Sequence, residues 1–149
     1  MDRDWTAEAK RLFAVDKPAH FTNFQHCCEC AEHDETLRMH TVDSIGLAQL
    51  GSPAWDPLCF CSAEGLQYYL PAMIRLSLKT ITDESYFDQM LFHLAVGGPD
   101  NRLRNSCSVE QKAFVVEFLA HMITTYPKEL DRNFTADDAL SAYELWGSV

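Results

Sequence analysis

Between Ser108 and Pro127 the apolar side chains return at helical spacing. Phe114, Val115, Phe118, Leu119, Met122 and Ile123 form a single stripe behind a Ser108–Gln111 capping box, and Pro127 stops the run. Such a stripe must be buried against partners of the same kind, and the rest of the chain supplies them. Trp5, Ala9, Leu12 and Phe13 share a face over residues 4–15, ahead of Pro18. A second helix is expected over residues 23–40. Ser62 can cap a third, with Leu66, Tyr69, Leu70, Met73 and Ile74 inward; Pro71 inside it predicts a kink or a fresh helix start. A fourth spans residues 83–96, with Phe87, Met90, Leu91 and Leu94 inward and Gly97-Gly98-Pro99 as its stop. Thr135 and Asp138 resemble a second capping arrangement, opening a last helix with Ala139, Leu140, Tyr143 and Trp146 inward and Gly147 behind it. Strand signals are scarce. The expectation is an all-α fold: a compact, irregular single-domain bundle of five to seven helices over residues 1–149.

With 149 residues, the chain is long enough to bury a core without disulfide or metal staples. Its 22 acidic side chains against 12 basic ones give a net charge of −10. That field repels nucleic-acid phosphates and anionic membrane surfaces and favours a basic protein partner. The charged opening Met1-Asp2-Arg3-Asp4 predicts no secretory leader, and no apolar run approaches a membrane span. A cytoplasmic protein with reduced thiols is expected.

The segments Ser62-Ala63-Glu64-Gly65-Leu66-Gln67-Tyr68-Tyr69-Leu70-Pro71-Ala72, Leu91-Phe92-His93-Leu94 and 107–119, which opens Cys107-Ser108-Val109-Glu110-Gln111, occur in that order. Over residues 50–125 this order resembles a family of small bacterial helical proteins known as a domain of unknown function. The resemblance implies a helical, cytoplasmic, bacterial protein. It carries over no catalytic or binding residue.

The densest chemistry lies outside those segments. His26-Cys27-Cys28-Glu29-Cys30-Ala31-Glu32-His33 holds three of the six cysteines and two of the six histidines. Thiolate and imidazole are ligands that suit zinc. If the segment is a turn, Cys27 and Cys30 form a C-x2-C knuckle. If it is helical, His26, Cys30 and His33 share a stripe with Leu37. Either way the local ligands number two or three, so a closed site must borrow from Cys59-Phe60-Cys61, of which only one cysteine should reach. Cys27, Cys30, His33 and Cys61 are therefore the candidate zinc ligands, structural with four protein ligands or hydrolytic with three and a water, with Glu29 or Glu32 as base. No paired C-x2-C motif completes the pattern, and buried structural thiols are the competing reading. Redox sensing is disfavoured, because Glu29, Glu32, Asp34 and Glu35 should push nearby thiols upward.

Elsewhere the residues read as structural. Trp55 before Asp56-Pro57 should plug the core, and His93 and His121 read as satisfied core or boundary residues. One of Tyr68 and Tyr69 should be buried and the other partly exposed. Arg102 and Arg104 read as surface charges. H-E-x-x-H, G-x-S-x-G and G-x-G-x-x-G are all missing from the chain. The leading expectation is a non-enzymatic acidic protein of immunity, antitoxin or anti-defence type that engages a basic partner. Homodimerisation is compatible with it, and a zinc protein is the alternative.

Overall fold

The computed structural model describes residues 3–148. Among them lie nine α-helices: α1 Trp5–Leu12, α2 Cys28–Met39, α3 Leu47–Leu50, α4 Ala63–Thr80, α5 Phe87–Ala95, α6 Arg102–Ser106, α7 Val109–Thr125, α8 Pro127–Arg132 and α9 Ala136–Gly147. Single turns of 3-10 helix at Pro53–Trp55, Pro57–Phe60 and Gly98–Asp100 complete the regular structure, and no strand is present among the described residues. The all-α class is as expected, but the helices outnumber the five to seven anticipated. The six helices of eight residues or more match the six periodic segments. The short ones, α3, α6 and α8, run for four to six residues, too few to display a 3.6-residue period. No helix among the described residues is long and apolar enough to cross a membrane.

Capping explains where most of the long helices begin. Asp4 accepts from the Ala7 N–H, and Ser62 accepts from that of Gly65. Ser108 and Gln111 close their box reciprocally at 2.9 and 3.1 Å, and the Gln111 amide also donates to the Leu12 carbonyl at the end of α1. Thr135 departs from expectation. Its hydroxyl is buried and donates back to the Leu130 carbonyl, so α9 starts without a side-chain cap.

α4 is the hub of the bundle, packing on α1, α5 and α6. Eleven of its eighteen residues are buried, including Pro71, so it is apolar on nearly every side. The helix continues through Pro71 and no new helix starts there. Burial of this segment outweighs the roughly 3 kcal/mol that an interior proline costs. α7 packs on α9, α1 and α8, and α5 lies between α4 and α9. Tyr69 is buried and Tyr68 only partly so, as the 100° step between neighbours requires.

α9 meets the core through Ala139, Ala142 and Trp146, whereas Leu140 and Tyr143, expected inward, face solvent. Small residues let α9 approach closely, and that narrows the buried stripe. Arg104 corrects the other way. It is buried, and its guanidinium donates to the Leu145 carbonyl and to Ser148, tying α6 to the end of α9.

Gly65 sits where nothing larger fits. A Cβ there would overlap the Cys61 sulfur, far inside van der Waals contact, and lie 2.8 Å from a Phe21 ring carbon. Gly65→Ala should therefore destabilise by about 1–3 kcal/mol, despite alanine's better helix propensity. Adding Cys61→Ala should recover part of the loss, and urea denaturation of the single and double variants reads both. A neutral or stabilising Gly65→Ala would show that this contact is not tight.

Candidate metal centre

The cysteine segment is placed by the residues before it. Asp34 of α2 is buried and accepts from the Phe21 and Thr22 backbone N–H groups at 2.6 and 3.2 Å, and from His20 Nδ1 at 2.7 Å. Burial works against its ionisation, but the His20 imidazole and the two N–H groups hold its carboxyl below the usual carboxylate range. Thr22 donates to the Cys30 carbonyl, and the Ser62 N–H donates to Phe21 at the start of α4. Residues 20–22 are thus pinned between α2 and α4 and cannot join a helix. This is why α2 begins at Cys28, not at residue 23.

Cys27 is the N-cap of α2, in an extended conformation, and its sulfur accepts from the Cys30 N–H. The chain turns before Cys27 and is helical after it, so the Cys27–Cys30 pair of the turn reading forms, whereas the grouping of His26, Cys30 and His33 on one helical stripe does not. Cys27 Sγ and Cys30 Sγ lie 3.4 Å apart, and Cys30 Sγ lies 3.7 Å from His26 Nδ1. All three ligand atoms fall within 4.8 Å of one another. Tetrahedral zinc, with Zn–S of about 2.3 Å and Zn–N of about 2.0–2.1 Å, sets sulfur–sulfur edges of roughly 3.8 Å and sulfur–nitrogen edges of roughly 3.5 Å. The observed spacings come within a few tenths of an ångström of these.

The electrostatics separate the two thiols. The Cys30 backbone N–H, His26 and the Cys30 side chain lower the exposed Cys27 thiol to about 7. The hydrogen bond with Cys27 and burial raise Cys30. The acidic neighbours were expected to push such thiols upward, and for Cys27 they do not prevail. An N-cap sulfur feels the aligned N–H groups of the first helical turn at contact distance, whereas exposed carboxylates act through water.

Neither His33 nor Cys61 joins this group. His33 lies a turn further along α2, fully buried, with its ring 4.5 Å from that of Trp55 and 5.0 Å from that of Phe60. Its two ring nitrogens have no hydrogen-bond partner, although Glu29 Oε1 stands 3.6 Å from Nε2. Trp55 is half exposed and covers His33 instead of plugging the core. Cys61 is buried beneath α4 beside Gly65, and burial pushes its thiol far above the ordinary range. Cys59 faces outward, so one 3-10 turn does send the two cysteines apart.

A second group was invisible in the sequence. Asp56 and His93, both buried, pair through Oδ2 and Nε2 at 2.7 Å, and Cys59 offers its sulfur within 4.8 Å of both. Gln89 donates to Asp56 Oδ2 at 3.1 Å and the Leu58 N–H to Oδ1 at 3.0 Å. Burial, then the Asp56 carboxylate, raises the Cys59 thiol. A protonated thiol beside an already satisfied carboxylate is a poor start for a metal site, and this group reads as a structural clamp.

Fold and site together define a small all-helical protein with a cysteine–histidine cluster at a helix start. Compared with family models, curated proteins and solved structures, the chain matches none.

Proposed function

We propose that the protein binds a single zinc-class ion through His26, Cys27 and Cys30, with the fourth position left to water or an incoming ligand. The supporting observation is the spacing at Cys30, whose sulfur lies 3.4 Å from Cys27 Sγ and 3.7 Å from His26 Nδ1, close to the edges of a tetrahedral ion, with all three ligand atoms within 4.8 Å of one another. The exposure of His26 and Cys27 gives the ion a path in, and a thiol at Cys27 already inclined to ionise lowers the cost of proton release on binding. Three ligands within five residues on one surface turn make a site that a partner or small ligand can complete. His33 and Cys61 stay outside this reading, because each is committed to the core.

Protein purified under reducing conditions without chelator should carry close to one equivalent of zinc. Cys27→Ser and Cys30→Ser should each abolish it, while Cys28→Ser should not, since Cys28 is exposed and outside the group. Metal-free protein that also fails to take up added zinc at micromolar concentration would end the proposal. So would equal loss of metal in Cys28→Ser.

A further inference from the structure

α5 buries Phe87, Met90, Leu91 and Leu94 against the bundle and turns a second apolar edge to solvent, where Phe92 is 53% exposed and Val96 42%. Hollows follow that edge from end to end. One of about 290 Å³ opens between Pro53 and Phe92, one of about 280 Å³ between Phe92, Val96 and Asp138 of α9, and one of about 500 Å³ between Pro53 and Glu84. Asp88 lines all three, so they join into one groove along the outer face of α5.

The groove is apolar around Phe92 and Val96 and acidic at its rim. No lysine, arginine or histidine lines any of the three hollows. Among the described residues, Glu84, Asp88 and Asp138 are exposed and take part in no ion pair, although other carboxylates such as Glu8, Asp43 and Glu117 do. Exposed aromatic surface framed by uncompensated carboxylates is the complement of a cationic amphipathic segment. The net charge of −10 adds long-range attraction for such a segment. A second copy of the chain fits poorly, because a two-fold contact here would set the acidic rims against each other.

We propose that this groove docks a basic amphipathic segment of a partner protein, with its apolar side chains on Phe92 and Val96 and its arginines or lysines on Glu84, Asp88 and Asp138. The inference is independent of the metal centre. The segment lies along α5, and its hold weakens as salt screens the rim.

The probe is a short synthetic peptide of arginines and leucines at helical spacing, with the glutamate-for-arginine peptide as its counterpart. Titration should give a dissociation constant on the order of tens of micromolar for the basic peptide and no binding for the acidic one. Amide shifts should cluster over residues 84–96 and 138–141. Asp88→Lys with Asp138→Lys should weaken binding at least tenfold, as should Phe92→Ser alone. Glu35→Lys with Asp131→Lys raises the net charge equally at exposed sites outside the groove and should cost less than threefold. Equal weakening by both charge pairs would reduce the effect to bulk charge and overturn the proposal, as would shifts mapping elsewhere. A concentration-dependent dimer abolished by Phe92→Ser would overturn it too, in favour of self-association.

Discussion

Asp56→Ala is expected to lower the unfolding free energy by about 3–5 kcal/mol, the range for removing one partner of a buried, hydrogen-bonded ionisable pair. The carboxylate accepts from the Leu58 N–H, Gln89 Nε2 and His93 Nε2 at 3.0, 3.1 and 2.7 Å. Its removal leaves the Leu58 N–H and the Nε2 of the buried His93 without a partner. Through Gln89, which also donates to the Leu50 carbonyl, the same carboxylate joins α3, the Pro57–Phe60 turn and α5. In urea, with a slope of about 1–3 kcal/mol/M, the midpoint should fall by more than about 1 M. Asp56→Asn keeps an acceptor for one donor and should lie between wild type and alanine. Asp56→Ala combined with His93→Leu should recover stability relative to Asp56→Ala alone, because an apolar pair leaves no ring nitrogen stranded. A loss below about 1 kcal/mol for Asp56→Ala would mean that the clamp carries no weight.

Trp146→Ala should cost a comparable 3–5 kcal/mol, the range for truncating a fully buried large aromatic. Trp146 is 2% exposed and brings α9 onto α5, where its indole N–H donates to the Leu94 carbonyl at 2.8 Å. Leu94 lies in the last turn of α5, whose carbonyls lack helical partners. Asn101 serves its neighbours, donating to the His93 and Val96 carbonyls at 2.9 Å. The indole therefore fills a core site and caps a helix at once. For a chain of this size the melting temperature should drop by about 10 °C or more. Trp146→Phe keeps most of the packing but leaves the Leu94 carbonyl unpaired, so its cost should be about 1–3 kcal/mol. Thermal melts of the two variants side by side test the division, and a Trp146→Phe variant as stable as wild type would remove the capping role.

The long helices were legible because their signals are short-range. The stripe of α7, its Ser108–Gln111 box and the stop at Pro127 all lie within one stretch of chain and are realised as read. Inside that reading, tertiary contacts redrew the details. Residues 23–27 were expected to be helical, yet Phe21 and Thr22 spend their N–H groups on Asp34, and α2 waits until Cys28. Leu140 and Tyr143 have helical spacing but no neighbour to cover them, because α9 approaches α7 through alanines. Arg104 has nothing nearby in sequence to announce that Leu145 and Ser148 lie over its guanidinium.

The candidate site divides in the same way. Cys27 and Cys30 were visible as a C-x2-C pair, since two residues so close in sequence meet in almost any turn. His33 is the histidine named with them from the sequence, whereas His26 is the one beside Cys30, because the choice depends on where the helix starts. A start at Cys28 leaves His26 on the approach to Cys30 and carries His33 around to the core, under Trp55 and Phe60. The ease with which Cys27 ionises also follows from that start, because it makes the residue an N-cap. Asp56 and His93, 37 residues apart, could be joined only by the fold. Periodicity, caps and close-spaced ligands are properties of a few consecutive residues, and the chain alone carries them. Helix registers, the partners of buried polar groups and the groove along α5 arise where distant segments compete for the same space, and only the folded structure decides that competition.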